Sequence, residues 1–518
     1  MRIFFLICLL LLLVEANAAE PIQFQDGTKA SGLFDPLRGL MGHAAAWGDY
    51  DGDGRPDLFV GGFCDRPNSE YQPAKGPVPS ALLHNEGKGK FQWVKNSAVE
   101  FCGRTDAALF ADLNDDGLPE LYVSNNPKGK VTRPEEPQAT AQQMHSKLFE
   151  NLKGTLRDIS GSSGASPSDL LTARNIAVFD YNNDRLLDLF IVEDRFQKGK
   201  KEARSILLKN KGGLKFQIAN AEAGLPDNIY GLGMAVADLN GDGRPDFFVA
   251  HSNRLFLSSM GNRYREAAQA ENVFRWNPLD NEDWPAGAAF GDLNGDGNPD
   301  LVIGIHHNPA RNKIYLNRGL RNDEPVFEDV TEKAGLGIAV PAKCPHVEIQ
   351  DFDNDGYPDI YFSAAWKTGD TVLPLIYRNT GTDRGGIPQF RAIGEIKTGM
   401  TYFPAGPSAD VNGDGKLDLF LVSWIPGEPS RLLINNSPGG NWLEVKAPVG
   451  SKIKLTAAGK LLGTRQVYPG FGFASGQLPI CHFGLGALTR ADLQVTLPNG
   501  SVKSNKDASL NRVIEFKQ

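Results

Sequence analysis

The sequence predicts an all-β protein: a seven-bladed β-propeller closed by the N-terminal strand, followed by a small C-terminal β-rich domain. Three observations support this fold class. A short acidic motif occurs seven times at spacings of 54 to 68 residues, and each copy lies among strand-like segments in the same order. In addition, the segment missing from the last copy is found at the N-terminus. Four-stranded units repeated in this way are typical of propellers.

The first eighteen residues have the composition of a secretory signal peptide. Arg2 precedes an apolar run at residues 3–14, and Ala16 and Ala18 form a small-residue cleavage site. The run is too short for a stable membrane anchor, and no later segment reaches transmembrane length. We therefore expect a signal peptide at residues 1–18 and a secreted, extracellular protein, which would be periplasmic or on the cell surface in a bacterium.

The repeated motif has the spacing of a compact calcium loop, Asp-x-Asp/Asn-x-Asp-Gly-x-x-Asp. Calcium takes six to eight oxygen ligands, which positions 1, 3, 5 and 9 and a backbone carbonyl at position 7 can supply. Magnesium fits less well because it requires a tighter octahedron and keeps its waters. Seven copies at a near-constant period predict up to seven bound Ca²⁺ ions, most simply as structural ions that stabilise the fold.

The seven copies are called loops 1 to 7. Their predicted ligands are Asp49, Asp51, Asp53 and Asp57; Asp112, Asn114, Asp116 and Glu120; Asp180, Asn182, Asp184 and Asp188; Asp238, Asn240, Asp242 and Asp246; Asp292, Asn294, Asp296 and Asp300; Asp351, Asp353, Asp355 and Asp359; and Asp410, Asn412, Asp414 and Asp418. Two loops depart from the pattern. Loop 3 has Arg185 where glycine is expected, which predicts a strained turn or a weak site, and loop 2 ends in the longer Glu120.

Each loop is flanked by strand-like segments. A run of small and apolar residues leads into the loop, and a short apolar run follows position 9, as at residues 58–60 and 301–303. Continuous apolar runs of this length read as strands buried on both faces. A third segment usually ends in asparagine, and a fourth begins at an aromatic or apolar residue such as Phe91 or Phe327.

The fourth segment of the last unit is absent after Asn435. A matching segment occurs at the N-terminus, where residues 24–33 resemble residues 327–336. We therefore predict that the first strand of the mature chain completes the last blade and closes the ring. The expected domains are a propeller at residues 19–437 and a β-rich domain at residues 438–518.

These motifs identify a resemblance. The repeat is similar to the FG-GAP/VCBS propeller repeat, with calcium loops like those of integrin α-chains. The tail, with Cys481-His-Phe-Gly-Leu-Gly486 and residues 491–500, resembles the ASPIC/UnbV domain. The pairing is the arrangement of the cartilage acidic protein family. The resemblance implies a secreted binding, adhesion or matrix protein.

Four cysteines remain after cleavage of the signal peptide: Cys64, Cys102, Cys344 and Cys481. They permit three pairings in an oxidising compartment. Cys64 and Cys102 fall in neighbouring loops on the face opposite the calcium loops, which predicts a disulfide between them. Cys344 lies on the same face, whereas Cys481 lies among apolar residues and is expected to be a buried thiol.

The face opposite the calcium loops is the predicted ligand face, because it carries the long insertions. The candidate ligand residues are Trp276, Trp284, Trp366, Trp424, Lys200 and Lys201. Indole rings provide flat apolar platforms and basic loops attract carboxylate or sulfate, so the expected partner is an acidic glycan or a protein, and no nucleic acid. The alternative is that the basic loop is solvated and the tryptophans pack under the insertions.

A catalytic alternative is a polysaccharide lyase or hydrolase that uses His251, His306, His307 and Arg311 on this face. The sequence contains no nucleophile elbow, phosphate loop or zinc spacing, and no catalytic carboxylate is set by spacing. Convergence of these side chains near the ring axis would favour catalysis, and scattered positions would favour binding. We therefore expect a binding protein rather than an enzyme.

Overall fold

The computed structural model describes residues 22–126, 145–167, 172–194, 204–394 and 396–517. The expected signal peptide and the pair Lys200 and Lys201 lie outside these residues. The fold is all-β, as predicted. Helix within the described ranges is limited to single turns, α1 (Ser160–Ser163), α2 (Ala270–Val273) and the 3₁₀ turn Asn68–Glu70. In the same ranges, no helix is long and apolar enough to cross a membrane.

The strands between residues 24 and 435 form seven sheets, numbered here in chain order. After β1 (Phe24–Asp26), the strands of sheets 1 to 4 are β2 (Gly42–Gly48), β3 (Asp57–Gly62), β4 (Ala81–Gly87) and β5 (Lys90–Trp93); β6 (Thr105–Ala111), β7 (Glu120–Asn125), β8 (Lys147–Asn151) and β9 (Leu156–Asp158); β10 (Ala173–Phe179), β11 (Asp188–Glu193), β12 (Ile206–Asn210) and β13 (Phe216–Ile218); and β14 (Gly231–Ala237), β15 (Asp246–His251), β16 (Arg254–Ser259) and β17 (Arg263–Glu266).

Sheets 5 to 7 complete this series. Their strands are β18 (Trp284–Gly291), β19 (Asp300–His306), β20 (Lys313–Arg321) and β21 (Glu324–Asp329); β22 (Val347–Gln350), β23 (Asp359–Thr368), β24 (Thr371–Thr382), β25 (Pro388–Ala392) and β26 (Met400–Tyr402); and β27 (Ser408–Ala409), β28 (Asp418–Leu421) and β29 (Arg431–Asn435) with β1. In sheets 1 to 6, the acidic loop joins the first strand of the sheet to the second. In sheet 7, it joins β27 to β28.

The first strands of successive sheets lie side by side. Strands β2, β6, β10, β14, β18 and β22 pack against one another in that order, and β2, β6 and β14 are buried along their whole length. Small residues are required for this close packing. A Cβ at Gly48 would lie 2.3 Å from the Cγ of Phe110 on the neighbouring sheet. Burial of both faces of the first strands therefore explains why small and apolar residues precede each loop.

Strand β1 pairs with β29 at the opposite end of this part of the chain. The pairing is antiparallel, with Phe24 opposite Asn435 and Asp26 opposite Leu433. Sheet 7 therefore has the order β1-β29-β28-β27. Sheets 1 and 7 also touch, because the Trp47 indole donates to the Pro407 carbonyl at 3.0 Å.

The remaining strands belong to the C-terminal part of the chain. They are β30 (Asn441–Lys446), β31 (Lys452–Ala457), β32 (Lys460–Gln466), β33 (Ser475–Gly476), β34 (Ile480–Gly486), β35 (Arg490–Thr496), β36 (Val502–Ser509) and β37 (Arg512–Glu515). Strands β34, β30 and β37 form one sheet and β32, β31, β35 and β36 a second. A separate apolar cluster, which includes Leu443 and Leu493, packs between them.

One C-terminal segment leaves these two sheets and enters the seven-sheet assembly. Strand β33 pairs in parallel with β2, and the Gly472 amide donates to the carbonyls of Met234 at 3.1 Å and Ala288 at 2.8 Å. The Phe473 amide donates to His346 Nδ1 at 3.1 Å. Residues 470–477 thus touch several of the first strands. The sequence did not predict this insertion, because a glycine-rich stretch carries no signal of which backbones it approaches.

Candidate functional site

The seven acidic loops share one geometry. The position-9 carboxylate is fully buried and accepts two backbone amides, one from position 2 of its loop and one from the end of the third strand. In loop 1, Asp57 accepts the Tyr50 amide at 3.2 Å and the Asn85 amide at 2.7 Å. The corresponding position-2 contacts in loops 2 to 7 are to Glu120, Asp188, Asp246, Asp300, Asp359 and Asp418. Position 9 therefore ties together strands of its own sheet.

The position-1 carboxylate accepts the amide of position 6, which requires a left-handed backbone there. Gly54 has φ 86°, and its amide lies 3.1 Å from Asp49 Oδ2. Loop 3 keeps this contact without glycine, because Arg185 has φ 72° and its amide donates to Asp180 at 2.7 Å. Arg185 thus adopts the left-handed backbone conformation at the position where the sequence predicted a strained turn.

Replacing Arg185 with glycine should increase stability. A non-glycine residue in the left-handed region costs about 1 kcal/mol or more, so we expect Arg185→Gly to raise the free energy of unfolding by about 1 kcal/mol in urea titrations. Asn183→Gly is the matched control, because Asn183 also has positive φ but asparagine tolerates it better. Equal stability of wild type and Arg185→Gly would contradict the expected strain.

The donor atoms of the loops fit a hard cation. Within the described part of the chain, Asp49 Oδ1 and Asp353 Oδ1 are buried atoms without a hydrogen-bond partner. In the same ranges, Asp49, Asp51 and Asp57 offer oxygens within 4.8 Å of one another, as do Asp351, Asp353 and Asp355. Calcium prefers such clustered carboxylate oxygens. These residues would hold a calcium ion, which would neutralise their mutual repulsion.

Burial and the neighbouring carboxylates also perturb these groups electrostatically. Burial, followed by the charges of Asp51 and Asp53, raises the pKa of Asp57 to about 8. Burial and then the charges of Asp355 and Asp353 raise the pKa of Asp351 above its ordinary value. A buried carboxylate of this kind is costly to ionise without a nearby positive charge. Arg378 partly supplies that charge in loop 6, where it contacts Asp353 at 2.6 Å and Asp355 at 2.5 Å.

Asparagines at the ends of third strands link neighbouring loops, a role that the sequence analysis missed. The Asn85 side-chain amide donates to the carbonyls of Pro56 in loop 1 and Val411 in loop 7. Equivalent bridges from one loop to the preceding one are made by Asn151, Asn210, Asn379 and Asn435. The recurrence of asparagine at this position is visible in the sequence, but its partner in another sheet is not.

Cys64 and Cys102 are adjacent thiols in the structure, so the expected disulfide stays a prediction. The Cys64 amide donates to the Gly103 carbonyl at 2.9 Å, which brings the two segments together. A hydrogen bond with the Cys102 side chain, together with burial, raises the pKa of the Cys64 thiol above its ordinary value. Cys344 and Cys481 are both buried.

In an oxidising compartment we expect Cys64 and Cys102 to be cross-linked, because their side chains are already in contact. Peptide mapping without reduction should find this pair and should find Cys344 and Cys481 as thiols. Alkylation of both Cys64 and Cys102 in the unreduced protein would contradict the prediction.

Aromatic side chains converge at the strand ends opposite the acidic loops. Strand β15 starts at position 9 of loop 4 and ends at His251, whereas β18 starts at Trp284 and ends at loop 5. Consecutive ring contacts, with centroids 4.6 to 6.3 Å apart, connect Tyr230, His251, Trp284, His306, Tyr402, Trp424, His43 and Phe63. We call this set the aromatic arc. Trp284, Tyr402 and Trp424 are only half-buried.

Charged side chains close the arc into a circle. Arg104 stacks on Phe63 with its guanidinium carbon 4.0 Å from the ring centroid, and Arg174 contacts Asp106 and Asp194 at 3.1 Å each. Asp194 lies 3.7 Å from His251. The arc and these four charged residues are called the circle site, to which all seven sheets contribute. Phe473 of the inserted segment packs against His43 at its base.

The predicted ligand-face residues divide between the circle site and its surroundings. Trp284 and Trp424 belong to the circle site. Trp276 packs against Arg311, and its indole donates to the Asp283 carbonyl at 2.9 Å. Trp366 lies against Gly394, where a Cβ would be 2.4 Å from the ring. Two tryptophans thus belong to the circle site, whereas Trp276 packs in the segment before β18 and Trp366 in strand β23.

The four candidate catalytic residues divide in the same way. His251 and His306 flank Trp284 in the aromatic arc. His307 instead bonds Asp280 at 3.1 Å, and Arg311 is paired with Asp283. Burial, and then the charges of Lys343 and Arg174, lowers the pKa of His306 to about 3. His306 is therefore neutral at physiological pH.

Comparison with known protein families agrees with the repeat geometry. A model described as an FG-GAP-like repeat matches residues 49–123, 180–249, 238–303 and 292–362. A model described as ASPIC and UnbV matches residues 444–518. The chain carries FG-GAP-like repeats and a C-terminal ASPIC and UnbV domain. The resemblance identified from the sequence is thereby confirmed.

Similar proteins extend over most of this FG-GAP repeat chain. Cartilage acidic protein 1 of Homo sapiens is 24% identical over 513 residues, which cover 92% of this chain and 72% of the relative. The Mus musculus protein of the same name is 23% identical, with coverages of 92% and 74%. Among solved structures, an Agrocybe aegerita lectin that recognises non-reducing terminal N-acetylglucosamine matches with a TM-score of 0.41 and 16% identity, covering 68% of this chain and 80% of the lectin. The Bacillus licheniformis rhamnogalacturonan lyase PL11 matches with a TM-score of 0.37 and 12% identity, covering 76% and 71%.

Proposed function

We propose that this chain is a secreted, calcium-stabilised binding protein that holds an extracellular carbohydrate at the circle site. In this proposal, residues 19–437 form a seven-bladed propeller closed by β1, residues 438–518 form the C-terminal domain, and up to seven structural calcium ions occupy loops 1 to 7. The observation that carries the proposal is the circle site itself, because side chains from all seven sheets converge there.

The architecture is supported by pairing and contact around the assembly. Each of the seven sheets contains an acidic loop at the same place, and β1 joins the strands of sheet 7. The bridge from Asn85 to Val411 links the first and last loops in the same way as the bridges between other neighbours. The N-terminal apolar run and relatives named for cartilage support an extracellular location.

The composition of the circle site favours a sugar ring as the ligand. Half-exposed indoles offer flat apolar faces that can cover the C–H face of a pyranose. The partly exposed Arg104, Arg174 and Asp194 side chains on the other side offer donors and acceptors for its hydroxyl groups. Because Arg104 is paired with Asp65 and Arg174 with two aspartates, neither arginine is left to attract an anion, and the described part of the site suits an uncharged sugar. An acidic glycan would depend on the basic loop that includes Lys200 and Lys201.

The circle site supports binding better than catalysis. An effective general base has a pKa near the working pH, whereas the pKa of His306 is about 3. His307 and Arg311 are engaged in ion pairs outside the circle site. Among the four residues proposed for the lyase or hydrolase alternative, His251 is thus left as the candidate base, and it is held between Tyr230 and Trp284.

Glycan binding should depend on the tryptophans of the circle site. A central aromatic contact contributes about 2 kcal/mol or more, so we expect Trp284→Ala and Trp424→Ala each to weaken binding by about 30-fold. Trp276→Ala and Trp366→Ala are the matched controls and should bind like wild type. The measurement is an array of neutral and acidic glycans, followed by calorimetric titration of the best ligand at two salt concentrations.

The outcomes separate the two ligand classes. Salt-insensitive binding that survives neutralisation of Lys200 and Lys201 supports a neutral sugar, and salt-sensitive binding lost with those lysines supports an acidic glycan. Binding that is unaffected by Trp284→Ala and Trp424→Ala, or the absence of binding to every glycan on the array, would contradict the circle site as a carbohydrate site.

A further inference from the structure

The C-terminal domain covers some of the acidic loops and leaves others open. In loops 4, 5 and 6 the position-1 carboxylates are buried, with exposures of 9% for Asp238, 5% for Asp292 and 2% for Asp351. The position-1 carboxylates of the other loops, Asp49, Asp112, Asp180 and Asp410, are only half-buried. The difference does not follow from the repeat, because all seven loops have the same local geometry.

Specific contacts from β32 account for the burial in loops 4 and 5. The Gln466 side chain accepts the Asp238 amide at 2.6 Å and donates to the Asp238 carbonyl at 3.0 Å. The Thr464 hydroxyl lies 3.4 Å from Asp292 Oδ2 and 3.3 Å from the Gly297 carbonyl. Two adjacent loops are therefore held by alternate side chains of one strand.

Strand β34 covers loop 6. Gly484 lies directly over the loop, since a Cβ there would be 2.0 Å from Asp351 Oδ2 and 2.4 Å from Asn354 Cα. On either side, His482 Nε2 is 2.7 Å from Asn354 Oδ1, and the Gly486 amide donates to the Asn354 carbonyl at 2.8 Å. The Cys481-His-Phe-Gly-Leu-Gly486 segment is thus shaped to sit on a calcium loop.

The acidic loops that the C-terminal domain leaves open border a cavity. A cavity of about 1100 Å³ lies between the two parts, and its lining includes Asp49, Asp112 and Asp410 of the open loops. Asp292 of loop 5 borders the same cavity, but there the Thr464 side chain contacts the carboxylate. Lys446 approaches loop 1 as a cation, with its Nζ 3.6 Å from Asp49 Oδ2. Solvent-accessible space beside the half-buried Asp49, Asp112 and Asp410 gives an ion a route out.

We propose that the C-terminal domain divides the calcium sites into three occluded sites, in loops 4 to 6, and four exchangeable sites, in loops 1 to 3 and 7. Release of calcium from an occluded site requires β32 and β34 to lift off, so ion exchange there is coupled to docking of the C-terminal domain. The inference rests on the calcium binding in the proposed function and extends it from a structural role to a distinction between sites.

The test is the rate of calcium release from the full chain. Calcium-saturated protein is mixed rapidly with excess fluorescent chelator, and the ions released in each kinetic phase are counted. We expect about four ions in a fast phase and about three in a phase at least about tenfold slower, because lifting of the domain adds to the barrier. Gly484→Ala should move ions from the slow phase to the fast phase.

Gly463→Ala is the matched control, because a Cβ at Gly463 meets nothing within 4 Å, and it should release calcium like wild type. If Gly484→Ala does not fold, the release kinetics are compared between Gln466→Ala and wild type instead. The exposed Gln494→Ala is then the control. Release of all bound ions in one phase, or a slow phase unchanged in folded Gly484→Ala or in Gln466→Ala, overturns the coupling. Protein that binds no calcium at the start overturns the calcium proposal as well, so the two failures are distinguishable.

Discussion

Removal of calcium is expected to lower the melting temperature by about 10 °C. At a tenfold excess over its dissociation constant, each bound ion contributes about 1.4 kcal/mol, and seven sites contribute about 10 kcal/mol together. For a chain of this size the entropy of unfolding is roughly 1 kcal/mol per degree. Thermal melts with calcium and with chelator measure the difference, and added magnesium should restore little of it.

Substitutions of single ligands should show which loops contribute most to the stabilisation by calcium. We expect Asp292→Ala to lower the melting temperature more than Asp184→Ala, because Asp292 is buried and its loop has the glycine that loop 3 lacks. Asp370→Ala, in the exposed turn between β23 and β24, is the control and should melt like wild type. Identical melts with and without chelator would contradict calcium stabilisation.

Deletion of residues 21–33 is expected to destabilise the protein by more than about 5 kcal/mol and to cause aggregation. The segment buries Ile22 and Leu33, which contribute about 2 to 3 kcal/mol each. It also provides the pairing of β1 with β29 and, just after β1, the hydrogen bond from the Gly27 amide to the Leu432 carbonyl at 2.8 Å. Without β1, the edge of β29 is unpaired and open to pairing with another chain.

Urea unfolding and light scattering of the truncated protein test this expectation. Leu33→Ala should reproduce part of the loss, about 2 to 5 kcal/mol, without exposing the edge of β29. The exposed Lys29→Ala in the same segment is the control for substitution alone. A truncated protein that unfolds and scatters like the mature form would show that β1 is not needed to complete sheet 7.

The acidic loops could be predicted from the sequence because all their ligand positions lie within nine residues. A tight turn and left-handed glycines bring Asp49 and Asp57 together wherever the strands are placed. The positive φ at Arg185 could be anticipated for the same reason. The match between residues 24–33 and 327–336 also predicted the partner of β1, since similar sequence implies a similar place in a sheet.

The circle site could not be predicted in this way. The sequence predicted that Trp276, Trp284, Trp366 and Trp424 all lie on the ligand face, and it did not distinguish among them. Packing separates them, because Arg311 covers Trp276 and Gly394 leaves room for Trp366, whereas Trp284 and Trp424 contact the rings of neighbouring sheets. His43 and Tyr402 had no local signal at all, since their role depends on strands that are distant in the chain.

By itself, the sequence determined the all-β fold, the repeat and its C-terminal domain, and the internal geometry of each acidic loop. These properties depend on periodicity and on residues close together along the chain. The tertiary structure alone decided which side chains meet in the circle site and which loops Gln466, Thr464 and Gly484 cover. The physical reason is that both depend on contacts between distant segments, which repeating units of nearly identical sequence cannot distinguish.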